Sequence, residues 1–129
     1  MLWSDRQSSI INNLIISNSG KAGGGIAVFH SSPAITNNTI AFNTASNTGA
    51  AIFVGGDSNP SIKYNLAYYN DAPPAGCGGI ECWPDDEPIL ECNDSWNNFP
   101  AGSDYGGLVG SYAGLTATFP RISYSAANM

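Results

Sequence analysis

The chain has 129 residues, of which 4 are Lys or Arg and 10 are Asp or Glu, and its net charge at neutral pH is −6. Its basic residues are scattered, so the sequence predicts no nucleic-acid partner. No apolar run reaches the roughly 18 residues of a membrane-spanning helix, and the first residues lack the basic start and apolar centre of a signal peptide. A chain of this length is typical of one domain.

A short apolar word that closes in asparagine recurs along the chain, and a second asparagine follows each closing one. The closing asparagines are 25, 27 and 28 residues apart, a period typical of solenoid proteins. One copy of the word therefore predicts one turn of a coil. The closing set is Asn13, Asn38, Asn65 and Asn93, and the second set is Asn18, Asn43, Asn70 and Asn98.

Each copy continues into a Gly- or Ala-rich run and then a further apolar word. Strand-sized words separated by turn residues, with no apolar stripe at helical spacing, predict about three short strands in each turn. When the turns are stacked, equivalent apolar residues fall into columns that fill a narrow core. One column is Ile10, Ile35, Ile62 and Leu90, and another is Ile26, Ile52, Ile80 and Leu108.

The repeats predict a single domain over residues 1–129. Its coils are expected at 9–33, 34–60, 61–88 and 89–119, with a partial coil at 120–129. Neither end contains an evident cap, and solenoids need caps. We therefore expect either a piece of a longer solenoid or association of copies through the open ends; folding of residues 113–119 over one end is the alternative.

The recurring asparagines have a structural explanation. Asn tolerates the left-handed backbone conformation that tight bends require, and stacked amides pair a donor in one turn with an acceptor in the next. The sequence therefore predicts a structural ladder at the closing asparagines. Asn37 and Asn93 also begin glycosylation sequons, which we interpret as coincidental because both lie inside the strand-and-bend word.

Two stretches carry a resemblance to a known superfamily. The word at residues 33–40 followed by Asn43, together with Gly23-Gly24-Gly25-Ile26, resembles the Asn- and Gly-rich branch of the pectin-lyase-like superfamily. The resemblance covers residue 9 to about residue 112 and implies an all-β fold, a single-stranded right-handed parallel β-helix. It also implies an extracellular or cell-surface setting and, in members with activity, binding or cleavage of polysaccharide.

The catalytic patterns of that superfamily are not found. Hydrolase-like members resemble one another in Gly-His-Gly and Arg-Ile-Lys words, whereas His30 lies between Phe and Ser and Arg121-Ile122 precedes Ser. We identify no catalytic residue and no required cofactor. The expectation is a non-catalytic module, structural or adhesive, with polysaccharide as its possible partner; a fragment of a polysaccharide lyase or glycoside hydrolase is the alternative.

Acidic residues gather in one predicted bend. Aligning the turns puts Asp57 beside Asp85, with Asp86 and Glu87 in the same bend. Oxygen ligands on a loop suit Ca²⁺, so these four residues are candidate calcium ligands. A solvated acidic loop is the simpler interpretation, and a catalytic pair is a third.

Strand alternation also predicts two groups of outward aromatic rings. Rows of exposed flat rings are the kind of surface that stacks on sugars, although cover by a loop or by another protomer would explain them too. The first group is Phe29, Phe53 and Trp83, and the second is Tyr68, Tyr69 and Trp96.

The remaining polar and thiol residues have structural interpretations. Lys63 and Glu91 occupy equivalent positions in adjacent turns, which predicts a cross-strand ion pair. Cys82 and Cys92 are expected to fill the core, and Cys77 lies in a Gly-rich bend. Three thiols without Cys-x-x-Cys spacing do not predict zinc; a Cys82–Cys92 disulfide in an oxidising compartment is the alternative to free thiols.

Overall fold

The computed structural model describes residues 2–3 and 8–107 as short β-strands joined by tight bends. No helix in this part of the chain is long and apolar enough to cross a membrane. The strands are β1 (Leu2–Trp3), β2 (Ser9–Ile11), β3 (Leu14–Ile16), β4 (Ser19–Ala22), β5 (Ile26–Phe29), β6 (Ala34–Thr36), β7 (Thr39–Ala41), β8 (Thr44–Thr48), β9 (Ile52–Gly55), β10 (Ser61–Lys63), β11 (Leu66–Tyr68), β12 (Ile80–Cys82), β13 (Ile89–Glu91), β14 (Asp94–Trp96) and β15 (Tyr105–Gly107).

Three parallel sheets run along the stack, and each takes one strand from every coil. Sheet A has the order β1-β5-β9-β12-β15, sheet B β13-β10-β6-β2, and sheet C β14-β11-β7-β3. The predicted all-β solenoid of about four coils with three strands per coil is therefore confirmed. A fourth sheet, sheet D, pairs β4 with β8 in the first two coils and was not predicted.

The predicted apolar columns form the core. In sheet B, Ile35 pairs with Ile10 on one side and with Ile62 on the other, and Leu90 continues the column. Ile35 and Ile62 are fully buried, as expected for side chains on the inner face of a closed coil. Burial of each such side chain stabilises the folded state by about 1.5–3 kcal/mol relative to leaving it exposed.

The fourth coil differs from the prediction in sheet A. Ile80 pairs with Tyr105, at the place predicted for Leu108, which lies outside the described residues, as does the partial coil at 120–129. The Tyr105 ring packs against the core, and its hydroxyl donates a hydrogen bond to the Asn93 carbonyl at 3.2 Å. Burial raises the pKa of the Tyr105 phenol well above its usual range, so the hydroxyl stays protonated and can donate.

The first asparagine ladder forms as predicted. Asn65 Oδ1 accepts hydrogen bonds from the backbone N–H of Asn38 at 2.9 Å and from its Nδ2 at 3.0 Å. Asn65 Nδ2 donates to Asn93 Oδ1 at 2.9 Å and to the Ile35 carbonyl at 2.9 Å. Because Asn65 is 1 % exposed, these bonds replace water for every polar atom of the amide.

A second ladder repeats this geometry at the next corner. Asn70 Oδ1 accepts from the backbone N–H and the Nδ2 of Asn43, both at 3.0 Å, and Asn70 Nδ2 donates to Asn98 Oδ1 at 2.9 Å. Two adjacent corners of each coil are therefore held by amides stacked along the axis.

The sequence predicts the left-handed bend at the ladder asparagine itself. In the structure the bend lies one residue before each ladder position. In the first ladder the residues with positive φ are Asn12, Asn37, Tyr64 and Cys92, at 59°, 56°, 58° and 53°. The bend residue turns its side chain outward, while the residue after it points into the corner. For this reason Cys92 is exposed, and the prediction that it fills the core is wrong.

Within residues 8–107, carboxylates end two of the hydrogen-bonded columns. Asp104 Oδ1 accepts from the backbone N–H of Asn98 at 3.0 Å and from its Nδ2 at 2.9 Å, so it supplies the acceptor that a further ladder asparagine would supply. At a third corner, Ser58 Oγ accepts from the Ser31 N–H at 3.1 Å, and Asp86 Oδ1 accepts from the Ser58 N–H at 2.6 Å. The last position of such a column needs only an acceptor, and a carboxylate provides one.

We expect Asn65→Ala to lower the free energy of unfolding by about 2 to 4 kcal/mol, because it leaves the two buried Asn38 donors without an acceptor. The control is Asn47→Ala at an exposed position in β8, where a change within about 0.5 kcal/mol is expected. Urea unfolding followed by circular dichroism measures both. Equal midpoints for the two variants would contradict a stabilising ladder.

The position of a carboxylate in the ladder should decide its effect. Asn65→Asp removes the donors that face Asn93 Oδ1 and the Ile35 carbonyl and puts a charge there, so at pH 7 it should destabilise at least as much as Asn65→Ala. Asp104→Asn keeps an acceptor at the ladder end and should change the unfolding free energy by less than about 1 kcal/mol. The same urea titrations measure both variants. A larger loss of unfolding free energy in Asp104→Asn than in Asn65→Asp would contradict the expectation.

Candidate functional site

The first group of predicted aromatic residues meets on the outside of sheet A. The Phe53 ring centroid lies 5.3 Å from that of Phe29 and 5.2 Å from that of Trp83. Trp83 contacts both phenyl rings edge to face, at interplanar angles of 82° and 86°. The three rings come from three successive coils, so the stacking of the coils creates the cluster.

Exposure differs sharply among these rings. Trp83 is 48 % exposed and Phe29 is partly buried, whereas Phe53 is fully buried, so the prediction of an exposed row is wrong for Phe53. The backbone at Gly49 crosses tightly against the base of the Phe53 side chain, since a Cβ at Gly49 would lie 2.7 Å from the Phe53 Cβ. Gly49 also has a φ of 62°, which favours glycine at this crossing.

A groove of about 640 Å³ opens beside the aromatic cluster. One wall consists of the Phe29, Phe53 and Trp83 rings, and the other is the glycine-rich run from Gly20 to Gly25 with Asn18, Ser19, Lys21 and Asn47. Sequence reasoning found the rings and missed the second wall. Its only signal was the Gly23-Gly24-Gly25 run, which allows a close backbone approach but does not show what lies opposite.

The groove combines an apolar platform with neutral polar groups. Asn18 and Asn47 are exposed, and Asn18 Nδ2 donates to Asn43 Oδ1 at 3.1 Å, which holds its amide at the end of the second ladder. Lys21 is the one charged side chain among the described residues that line the groove. Such a lining suits a ligand that has both an apolar face and hydroxyl groups.

Glu81 lies beside the groove in the outward column of Phe53, with which it pairs in register. The Thr48 hydroxyl donates to Glu81 Oε2. Burial raises the pKa of the Glu81 carboxyl above its ordinary value, although hydrogen bonds from the Cys77 and Gly49 backbone oppose the shift. We interpret this carboxyl as part of the support for the Gly49 crossing.

The second aromatic group is packed differently. Tyr68 stacks on Trp96 at 5.3 Å and 13°, and Phe42 stacks on Tyr69 at 5.5 Å and 17°. Each ring thus covers one face of its partner. The structure brings Tyr68, Tyr69 and Trp96 together as predicted in one cluster and adds Phe42, which is 54 % exposed. Stacking of this kind stabilises neighbouring coils and leaves less ring face for a sugar.

The predicted acidic bend is partly occupied by backbone hydrogen bonds. Asp86 is fully buried and accepts from the Ser58 and Trp83 N–H groups. Burial raises the pKa of its carboxyl, and the nearby charges of Asp57 and Asp85 raise it further. Over residues 2–3 and 8–107, no group of three His, Cys, Asp or Glu side chains is arranged to hold a metal ion. Calcium binding by Asp57, Asp85, Asp86 and Glu87 stays a prediction.

The three cysteines are free thiols. Cys82 points into the core and Cys92 is exposed on the outer side of its bend; the Cys82–Cys92 disulfide is not formed because the two residues face opposite sides of the coil wall. Cys77 is buried, and its Sγ donates to the Ser103 carbonyl at 3.0 Å. Burial raises the pKa of the Cys77 thiol to about 12. The predicted Lys63–Glu91 pair is present at 2.9 Å.

Comparison with known protein families agrees with this architecture. The family model described as the right handed beta helix region matches residues 1–118. The chain belongs to the right-handed β-helix family. The pectin-lyase-like resemblance of the sequence is consistent with this membership, which shows the fold of the β-helix and not its role. Comparisons of the β-helix with curated proteins and with solved structures gave no match.

Thiol labelling should separate the three cysteines of the β-helix. We expect one alkyl adduct in the folded protein, at Cys92, and three after denaturation. Cys77 and Cys82 are buried and therefore shielded from the reagent. The raised pKa of Cys77 also keeps this residue protonated, and the protonated thiol is not the reactive form. Intact mass followed by peptide mapping identifies the sites. Complete labelling of the folded protein, or none, would contradict this assignment.

Proposed function

We propose that this β-helix is a non-catalytic module that binds polysaccharide in the groove beside Trp83. The observation that carries the proposal is the half-exposed indole on the apolar wall of a groove whose other wall is glycine-rich and polar. Sugars have apolar faces that stack on aromatic rings and hydroxyl edges that need hydrogen bonds. The two walls match these two requirements.

The orientation of Trp83 supports stacking. Its contacts with Phe29 and Phe53 are both close to perpendicular, and within the described part of the chain no ring lies parallel to the indole. Phe53 is fully buried beneath the cluster, so the indole is supported by a fixed neighbour. A ring that is already held in place loses little conformational entropy when a ligand binds.

The second wall supports the hydroxyl side of the interaction. Gly23 has a φ of 68°, and a Cβ there would lie 2.6 Å from the Ala27 Cβ. This wall therefore packs directly against Ala27 on the outer face of sheet A. Gly23 stays partly exposed in the groove lining, where a ligand would meet backbone groups. Asn18 and Asn47 then supply amide donors and acceptors at the rim of the groove.

The absence of a suitable acid pair supports binding without cleavage. Glycoside hydrolysis generally requires two carboxyl groups that flank the scissile bond, and the described residues lining the groove include no Asp or Glu. We therefore propose retention of an intact polymer. Assays for reducing ends and for unsaturated products are expected to stay at background with polymers that bind.

The test is a glycan array followed by affinity electrophoresis in gels that contain each polymer retained on the array. Trp83→Ala should weaken binding by at least about tenfold, because the stacking platform is removed. Trp96→Ala is the matched control in the second aromatic cluster and should bind as the wild type does, with circular dichroism confirming that both variants are folded. Wild-type affinity in Trp83→Ala, or a loss of binding only in Trp96→Ala, would overturn the proposal.

A further inference from the structure

The charges around the groove discriminate between classes of polysaccharide. Of the basic residues in the described part of the chain, Lys63 is paired with Glu91 in sheet B, and Lys21 alone contributes to the groove lining. The whole chain has a net charge of −6. Among the residues that the structure describes, a ligand that approaches the groove therefore meets one exposed cation, on a chain whose net charge is negative.

A polyuronate would be poorly matched to this surface. Its sugars carry successive carboxylates, and Lys21 can pair with only one of them. An exposed ion pair contributes about 0.2–1 kcal/mol, while the remaining carboxylates are repelled by a negative protein over distances of about 10 Å at 0.1 M salt. Glu81 adds a carboxyl next to Phe53 on the groove side of sheet A.

A neutral polymer meets no such penalty. Its hydroxyl groups can bond with the amides of Asn18 and Asn47 and with the glycine-rich backbone, and its apolar faces can stack on Trp83. The lining residues that are polar but uncharged outnumber the single cation. Hydrogen bonding and stacking thus supply the recognition, and charge acts as the discriminator.

We propose that the groove selects neutral polysaccharides and rejects polymers of uronic acids. This inference rests on the proposed function, because it assigns the ligand class of the same groove. The protein would then distinguish polysaccharides by their charge. The same polysaccharide backbone would be bound when its carboxyl groups are esterified and released when they are free.

Two preparations of one homogalacturonan, of matched length and with high or low methyl esterification, test the proposal directly. They share a backbone and differ in charge. The esterified polymer should bind about tenfold more tightly at about 0.01 M ionic strength, and the difference should shrink towards about 1 M as salt screens the repulsion. Equal affinities at low salt, or tighter binding of the acidic polymer, would overturn the charge selection.

A gain-of-function variant adds an independent readout. Asn47→Lys introduces a second cation on the groove wall and should raise the affinity for the acidic polymer while narrowing the difference between the two preparations. An unchanged difference in this folded variant would contradict the inference.

Trp83→Ala separates the two proposals. If both preparations bind equally and both require Trp83, charge selection fails and the polysaccharide groove stands. If neither preparation loses affinity in Trp83→Ala, the proposed function itself fails.

Discussion

Saturated hydrogen bonding at the corners of the coil is the constraint on which the rest of this structure depends. A bend in each coil takes backbone groups out of the sheet ladders, and those groups are buried between neighbouring coils. Asn38 and Asn65 solve this problem because one amide accepts from the coil below and donates to the coil above. A shift of one residue in either coil would leave buried donors and acceptors at the corner without hydrogen-bond partners. Each such group would lower the stability of the fold by about 1–3 kcal/mol. The ladders therefore set the register of sheets B and C, whose strands flank them.

The outward surface follows from that register. Once the corners are aligned, Phe53 must lie between Phe29 and Trp83, and Lys63 must lie beside Glu91. The groove is a consequence of the same stacking, since its rings come from three coils and its other wall comes from loops that sheet D holds against the coil. Function on such a scaffold is carried by residues that the core does not constrain. Trp83 is such a residue, because no inward packing requires an indole at that position.

Much of this was predictable from the repeat, and the errors have physical causes. The columns, the ladder and the Lys63–Glu91 pair were predictable because each depends only on equivalent positions in successive coils. The exposure of Cys92 was not, because the alignment does not show which of two neighbouring bend residues has positive φ and turns outward. The burial of Phe53 involves a tight backbone approach at Gly49, which repeats the approach of Gly23 to Ala27 in the preceding coil. The repeat of the apolar words does not show that this Gly-rich run folds back against the outward residue. Tyr105 replaced Leu108 opposite Ile80 because the fourth coil is shorter than the word match implied.

Carboxylates at the ends of the columns connect the acidic residues to the same constraint, since Asp104 and Asp86 serve as the final acceptors. Hydrogen exchange measured by NMR tests the ladder most directly. The account predicts that the backbone N–H groups of Asn38 and Asn65 exchange among the slowest in the protein, because both donate to buried side-chain oxygens of the next coil. Exchange of these amides at the rate of an unstructured peptide, in protein that is otherwise folded, would contradict it.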